Sequence, residues 1–253
     1  MQTKPLKQPL ELPFIPKNSV SKVLISEEAD EEINSLEKMG IFCVKVQNNP
    51  RLLPGLGSHA DMNYFHYKNN ELYCLNSVSA GEWAQNFSVI KIKKPESKDY
   101  PNDVMLNAVR LGKYFICNEK TVSKEILDSV YKDGLNIVNV NQGYTKCSVC
   151  VLSEDAVITD DISIYNELKY ILKDVTLVTK GSVKLNGFDY GFIGGCSGLI
   201  AKNKIAFCGE IISHKDHNLI YDALNRNKID AVELKKGCLT DVGSIIPIEE
   251  YVI

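Results

Sequence analysis

The chain has 253 residues, of which 44% are hydrophobic and 24% are charged, and its formal net charge is −3. These values are ordinary for a globular protein, and they exclude a strongly basic surface that would attract nucleic acid or anionic lipid. Because no apolar run approaches the roughly 20 residues that a membrane-spanning helix needs, we expect neither a membrane nor a nucleic-acid partner.

The first segment, residues 1–19, is polar and rich in proline, and we expect it to form an extended arm. It lacks the apolar core of a secretory signal peptide. The chain also carries eight cysteines, several of them inside apolar runs. Without a secretory signal, this pattern predicts reduced thiols in the cytoplasm rather than disulfides. Residues 20–253 are expected to form a single domain.

The most informative feature of that domain is a repeat. Four short segments have the pattern of a hairpin's returning strand and end at Asn76, Asn118, Asp160 and Gly209. The first three positions are 42 residues apart (118 − 76 and 160 − 118), and the fourth follows after 49 (209 − 160). A period in this range is typical of stacked or radial modules.

The predicted elements follow one plan along the chain, which is hairpin, helix and closing strand. Residues 21–46 supply the back half of a unit, with a helix over 28–39. Residues 58–93 contain a hairpin but only a short helix near 80–85, whereas the units over 103–141, 145–178 and 190–234 are complete. A last strand over 239–248 is expected to pair with the first unit, because open sheet edges are a liability. The predicted fold is therefore a closed, five-bladed α/β propeller of ββαβ units.

Polar residues near the starts of the first strands are the candidate site residues, because a radial array brings these starts together at its axis. They include His59, Asp61, Asn107, Lys146, Asp189, Cys196, Ser197, Thr240 and Asp241. His59 and Asp61 would share one face of a strand, where the carboxylate makes the imidazole a stronger base. The alternative is a capping aspartate and a histidine bonded to the backbone.

The cysteines of the later units offer two different patterns. Cys196 lies in a glycine-rich strand and would be a nucleophile if His59 or Lys146 lowered its pKa; the alternative is that only small residues fit there. Cys147 and Cys150 form a CxxC motif, but on a strand their side chains point to opposite faces. We therefore expect no redox pair and no metal site there.

Two further features have structural alternatives. Lys146 would bind an anionic group or else be a solvated lysine. The cluster His214, Asp216 and His217 opens a predicted outer helix, where Asp suits the positive end of the helix dipole, and we expect it to cap that helix.

The segments 58–62, 142–150, 189–196 and 239–243 carry a resemblance to a known fold. The chain resembles the pentein, or guanidino-group-modifying enzyme, fold, and it is most similar to an uncharacterised bacterial family of that fold. Known members include arginine deiminases, dimethylarginine hydrolases, amidinotransferases and a non-catalytic ribosome-binding initiation factor. The resemblance implies a hydrolase or transferase that acts on a guanidino, amidino or amino-acid-like compound in an axial pocket, with no cofactor and no metal.

On this basis we expect His59 as the base, Cys196 as the nucleophile and Asp241 beside them. The expected substrate-binding residues are Asp61, Asn107, Lys146, Gly195, Ser197, Thr240 and Ser244, and the expected ligand is small, polar and cationic. Members of the fold use a cysteine near the C-terminus, where this chain has Gly243 or Ser244. That difference favours an alternative, a non-catalytic module that binds a metabolite or a macromolecule. An oligomer is compatible with either function.

Overall fold

The computed structural model describes residues 5–252, in which short strands and helices alternate. In chain order the elements are β1 (Lys7–Pro9), β2 (Val20–Ser26), α1 (Asp30–Lys38), β3 (Phe42–Val46), α2 (Ala60–Asn63), β4 (Tyr64–Lys68), β5 (Glu71–Cys74), β6 (Ser88–Lys91), β7 (Val109–Leu111), β8 (Tyr114–Cys117), α3 (Lys124–Lys132), β9 (Asn136–Asn139), β10 (Val149–Val151), β11 (Ala156–Thr159), α4 (Ile162–Leu168), β12 (Asp174–Leu177), β13 (Ser197–Ala201), β14 (Lys204–Phe207), α5 (His217–Arg226), β15 (Asp230–Glu233) and β16 (Ile246–Tyr251). Short 3-10 turns occur at Glu82–Ala84 and Ile211–Ser213.

The strands described form five small sheets with one internal plan. In the second to fifth sheets, which are β4–β6, β7–β9, β10–β12 and β13–β15, the first two strands are antiparallel and the third is parallel to the second. A parallel connection needs a crossover, and α3, α4 and α5 supply it in the last three sheets. The predicted repeat and α/β class are thus present.

The N-terminal sheet draws its strands from both ends of the chain, in the order β1-β16-β2-β3. The C-terminal strand β16 is antiparallel to β2, and β2 is parallel to β3, so β16 takes the place of a first hairpin strand. The expected arm over 1–19 is partly built into this sheet, because β1 pairs with β16. Residues 1–4 of that arm lie outside the described residues.

The rest of the arm packs into the interior. The Phe14 side chain is buried, and its ring lies 6.3 Å from that of Phe65. The backbone amides of Lys17 and Asn18 each donate to the Glu250 carboxylate at 2.7 Å. Segments at opposite ends of the sequence are thereby tied together.

Helix starts agree only in part with the expected caps. The Asp161 carboxylate accepts from the amides of Ser163 and Ile164 at 2.8 and 3.2 Å and caps α4, as the sequence indicated. In α3 the cap is Ser123, whose hydroxyl accepts from the Ile126 amide. The buried face of α3 carries Ile126 and Val130, at the spacing that an amphipathic helix predicts.

The first strands of the units begin later than the sequence indicates. In the units predicted from residues 103, 145 and 190, the first strands begin at 109, 149 and 197, and the last strand, predicted from 239, begins at 246. The preceding residues are apolar enough to resemble strand, but they form turns whose amides bond to neighbouring units. The Lys146 amide, for example, donates to the Asn107 side chain at 2.6 Å.

Two other properties bear on where the protein can act. Among residues 5–252, no helix has the length and apolar character to cross a membrane. All eight cysteines are free thiols, and only Cys238 among them is exposed.

Candidate functional site

The turns that precede the first strands of the five sheets meet in one place. The Asp61 amide donates to the Gly243 carbonyl at 3.2 Å, and the Gly195 amide donates to the Cys147 carbonyl at 2.9 Å. The Asn107 side-chain amide donates to the Asp61 carbonyl at 3.3 Å. Five segments that are distant in sequence therefore share one centre.

Four side chains at this centre form a buried network, which we name the central network: Lys146, Ser244, Asp61 and Cys147. The Lys146 ammonium donates to the Ser244 hydroxyl at 2.9 Å and to the Gly194 carbonyl at 3.2 Å. The Ser244 hydroxyl donates to Oδ2 of Asp61 at 2.6 Å, and the Cys147 thiol donates to the same oxygen at 3.2 Å. One ammonium thus sits beside one carboxylate, as buried charges require.

The backbone of the C-terminal turn is shaped to fit this centre. Gly243 has a φ of +75°, and a Cβ at this position would lie 2.2 Å from the Cβ of His59. Ser244 follows with a φ of +70°, which is unusual for a residue other than glycine. Such strain persists only where the surroundings determine it, and here the serine hydroxyl joins the lysine to the aspartate.

A cavity of about 240 Å³ adjoins the central network. Four of its lining side chains are aromatic, namely Tyr144, Phe188, Tyr190 and Phe192. Asp189 and Asp241 contribute carboxylates, and His59 and Cys147 also line it. Among the described residues that line this cavity there is no lysine or arginine. Aromatic faces together with carboxylates favour a cation.

His59 and Asp241 form the polar pair of the cavity. Nδ1 of His59 lies 3.8 Å from Oδ1 of Asp241 and has no hydrogen-bond partner within the described part of the chain. Asp241 is held by the backbone, since its two oxygens accept from the amides of Gly243 at 2.9 Å and Phe192 at 3.0 Å. Burial raises the pKa of Asp241 above its ordinary value, although the His59 charge acts in the opposite direction.

The aromatic wall is itself ordered by stacking. The ring of Tyr144 lies 6.0 Å from that of Phe192 with an interplanar angle of 21°, and Tyr100 stacks on its other side at 6.4 Å. The Tyr144 hydroxyl donates to Asp103, which fixes the ring. A flat cationic group would therefore meet a preformed surface.

A second cavity of about 180 Å³ shares His59, Leu185 and Asp241 with the first. Thr240 and Lys235 line it. The histidine–aspartate pair thus lies between two cavities of different polarity.

Some of the predicted site residues line the cavity, and others are buried beneath it. His59 and Asp241 line the cavity, whereas Asp61, Lys146 and Ser244 belong to the central network beneath it. Asn107 is buried beside this network, where its side-chain oxygen accepts from the amides of Lys146 and Cys147.

Three more predicted residues have other positions. Gly195 lies under Asp241, and a Cβ there would meet Oδ1 of Asp241 at 2.1 Å. Ser197 is buried and its hydroxyl bonds to the Ile193 carbonyl at 3.1 Å. Thr240 lines only the second of the two cavities.

Cys196 does not line either cavity. It is fully buried in an apolar cluster, and its thiol donates to the Ile193 carbonyl at 3.2 Å. Burial, together with nearby Cys208, raises the pKa of Cys196 well above the ordinary value. This environment fits the packing alternative better than a nucleophile.

The thiol at the cavity is that of Cys147, which sequence reasoning treated only as part of a CxxC motif on a strand. Cys147 lies instead in the turn before β10, which places its thiol against Asp61. Burial, followed by the Asp61 and Asp241 charges, raises its pKa well above the ordinary value. The feature of the sequence that could have identified Cys147 was its position shortly before a first strand. The other residues of the centre have positions of the same kind.

The polar cluster His214, Asp216 and His217 lies at the start of α5. Asp216 precedes α5 but makes no side-chain cap; its carboxylate accepts from the Thr179 amide at 2.6 Å, and its own amide donates to Nδ1 of His214 at 2.9 Å.

Within residues 5–252, no group of three or more His, Cys, Asp or Glu side chains is placed to hold a metal ion.

With this geometry established, comparison with known proteins places the chain in a family. A model described as "family of unknown function (DUF6873)" matches residues 24–246. The chain belongs to this family. No curated protein sequence matches it.

Solved structures extend the comparison from DUF6873 to the fold. One is DDAH from Pseudomonas aeruginosa, a mutant complexed with citrulline. The two sequences are 8% identical, the match covers 92% of this chain and 100% of that chain, and the TM-score is 0.57. Another is the inosamine-phosphate amidinotransferase from Streptomyces griseus, with 11% identity, coverage of 94% and 97%, and a TM-score of 0.57. A third is a dimethylarginine dimethylaminohydrolase adduct with S-methyl-L-thiocitrulline, with 8% identity, coverage of 92% and 100%, and a TM-score of 0.54. At these identities the likeness shows a shared fold, the pentein fold.

Proposed function

We propose that the chain binds a small cationic compound with a guanidino or amidino group and modifies it by hydrolysis or group transfer. The observation that carries the proposal is the cavity lining, which combines four aromatic side chains, two carboxylates, His59 and Cys147 without a lysine or arginine among its described members. A guanidinium or amidinium is flat and cationic, so it suits both the stacked rings and the carboxylates.

The charges of the site support a cationic ligand. The Lys146 ammonium is held beside Asp61 through Ser244 and balances that carboxylate. Asp241 has no lysine or arginine partner among the described residues, and His59 balances it only when protonated. When Asp241 is ionised and His59 is neutral, the buried site carries an excess negative charge, which a monocation would neutralise.

A closed ring of five units accounts for this convergence. We infer such a ring because β16 completes the N-terminal sheet beside β2 and because the five turns before the first strands meet at the central network. The cavity would then lie on the ring axis.

The proposed chemistry uses Cys147 rather than Cys196. The thiol of Cys147 has a raised pKa, and a cation bound beside it would offset the Asp61 and Asp241 charges that favour the protonated form. Its sulfur would attack the amidinium carbon as the C=N electron pair moves to nitrogen, and the thiol proton would pass to Asp61.

His59 and water would complete the reaction. A protonated His59 would donate its proton to the leaving nitrogen as the C–N bond breaks. Water, or an acceptor amine, would then add to the carbon and give a proton to His59, and the C–S bond would break as the sulfur regains its proton from Asp61. The second cavity, on the other side of His59 and Asp241, offers a place for that second reactant.

The fold supports this class of reaction. The solved structures that share the fold include proteins named as an amidinotransferase and as a dimethylarginine dimethylaminohydrolase. The citrulline complex of DDAH adds a ligand of amino-acid character.

Cation-directed alkylation tests the proposal. Chloroacetamidine carries an amidinium next to an alkylating carbon, whereas iodoacetamide is uncharged. We expect chloroacetamidine to modify Cys147 at pH 7, with loss of chloride and the thiol proton, and iodoacetamide to modify mainly Cys238. The Asp241→Asn variant should lose the preference, and the Asp155→Asn variant, altered at an exposed turn, should keep it. Equal labelling of Cys147 by both reagents would count against a cation-binding site.

A non-catalytic binding module is the second candidate. The raised pKa of Cys147 and the serine at position 244 favour it, because neither offers a thiolate in the unliganded state. Thermal shifts with arginine derivatives and agmatine, followed by assays for ammonia and amine release, separate the candidates. A ligand that stabilises the protein and is recovered unchanged supports binding alone.

A further inference from the structure

A groove of about 680 Å³ runs along the outside of the N-terminal sheet, beside its last strand β3. Its apolar floor and wall include Phe42, Tyr64, Val78 and Trp83. The ring of Trp83 meets that of Tyr64 edge to face at 5.5 Å, which fixes this wall. The groove is larger than the cavity beside His59.

The groove exists because a helix is missing. In the other units, a helix reaches the outer strand of the preceding sheet: α4 packs against β9 and α5 against β12. The hydroxyl of Ser35 in α1 donates to the Leu234 carbonyl just after β15, at 2.7 Å. Glu125 of α3 accepts from the Lys93 amide shortly after β6, at 3.0 Å.

The equivalent place beside β3 would be filled by a helix from the second unit, β4–β6. The crossover of that unit contains only the 3-10 turn Glu82–Ala84. The outer face of β3 is consequently left with an exposed large side chain, Phe42, which is 55% accessible. A large apolar side chain in a groove is typical of a surface that another molecule covers.

The charges of the groove indicate what kind of molecule that is. Lys45 and Arg51 line it and are exposed. Among its described lining residues there is no aspartate or glutamate, although the chain as a whole is acidic. A partner with carboxylates at the edges of an apolar face would be complementary.

We propose that this groove binds an amphipathic α-helix with acidic residues, supplied by a different protein. A helix is the element that fills the equivalent position beside β9 and β12. A second folded copy of this chain is a poor source, because α1, α3, α4 and α5 already bury their apolar faces. The proposal does not depend on the reaction at the cavity.

Peptide display provides the test. A library of random 16-residue peptides is selected on the full chain, and the recovered peptides are synthesised and titrated by fluorescence anisotropy. We expect apolar residues three and four positions apart with aspartate or glutamate between them, and helical circular dichroism on binding. The Phe42→Glu variant and the Lys45→Glu/Arg51→Glu double variant should each weaken binding at least about tenfold.

Tyr170→Glu is the matched control, because Tyr170 is an exposed aromatic residue that does not line the groove. It should leave peptide binding unchanged. The substituted groove positions are exposed, so folding is expected to persist, and Phe42→Ser provides a milder substitution. The proposal is overturned if no peptide is enriched, if the enriched peptides are basic or bind in extended form, or if the groove variants bind them as tightly as the control.

Discussion

The hydroxyl of Ser244 donates a 2.6 Å hydrogen bond to the carboxylate of Asp61, a residue 183 positions away in the chain. The bond joins the turn before β16 to α2 and places Asp61 between Lys146, which lies behind the serine, and Cys147 at the cavity. Of these two neighbours, only Lys146 provides a positive charge to compensate the buried carboxylate of Asp61. The Asp241 carboxyl group faces the cavity and His59.

Replacing the buried lysine should destabilise the protein strongly. In Lys146→Met the Asp61 carboxylate would be buried without its cation, and we expect a loss of about 3–5 kcal/mol in the free energy of unfolding. Urea denaturation followed by circular dichroism measures it. Lys204→Met, at an exposed lysine, should change stability by less than about 0.5 kcal/mol. A small effect of Lys146→Met would contradict the pairing of Lys146 with Asp61 through Ser244.

Substitutions of Ser244 should separate its hydrogen bonds from its strained backbone. Ser244→Ala removes the hydroxyl but keeps a side chain at a φ of +70°, and we expect a cost of about 1–3 kcal/mol. Ser244→Gly removes the same hydroxyl and also the strain, so it should be more stable than the alanine variant by roughly 1 kcal/mol. Thermal and urea unfolding provide the comparison. The reverse order would contradict the strained conformation.

A methyl group at Gly195 should abolish ligand binding. The Cβ of Gly195→Ala would lie 2.1 Å from Oδ1 of Asp241, so the carboxylate would have to leave its position in the cavity. Calorimetric titration with agmatine or an arginine derivative should show at least about a tenfold loss of affinity. Gly134→Ala is the control, since it lies in open space and bears only the cost of a positive φ. Equal affinity in the two variants would remove Asp241 from the binding site.

Asp160 should make stability depend on pH. Burial raises its pKa to about 7 in the folded protein, against an ordinary value of 3.8, while the Ile193 amide and Lys180 act to lower it. Between these two values the folded state holds the proton more tightly than the unfolded state. The free energy of unfolding should therefore fall as the pH rises from about 4 to 7, by up to about 4 kcal/mol, and level off above that.

The Asp160→Asn variant isolates this contribution. It keeps an oxygen to accept from the Ile193 amide but cannot ionise, so the decline in stability between pH 4 and 7 should be smaller than in the wild type. Asp128→Asn, at an exposed position on α3, should follow the wild-type curve. Urea unfolding at a series of pH values gives the difference. Parallel curves for the wild type and Asp160→Asn would contradict the raised pKa.

The repeat and most helices could be predicted because they depend on local spacing. A few neighbouring residues are enough to predict the turn after each returning strand, the buried face of α3 and the cap at Asp161. The starts of the first strands could not be predicted in this way. Residues 145–148 run directly into the apolar strand β10 and resemble part of it, but the amides of Lys146 and Cys147 bond to Asn107, which is about 40 positions away.

The same long-range contacts explain why the sequence pointed to Cys196, whereas the thiol that lines the cavity is that of Cys147. Cys196 directly precedes β13 and Cys147 lies two residues before β10, and their local sequences do not distinguish which one faces the cavity. The glycines beside Cys196 serve close packing: a Cβ on Gly194 would lie 2.4 Å from the Lys146 and Val149 carbonyls. His59 and Asp241 could be predicted, because their place at the centre follows from the repeat alone. The aromatic wall was missed because Phe188 and Tyr190 lie outside the strands and helices, where no periodic pattern marks them.

The strand order of the N-terminal sheet has a consequence for biosynthesis. Because β16 follows all the other described strands in the sequence, a ribosome would release it after them, so β2 would wait for its neighbour while the other four sheets are already available. Asp241 and Ser244 emerge just ahead of that strand. Until this segment has left the exit tunnel, a nascent polypeptide would lack the Asp241 carboxylate that lines the cavity.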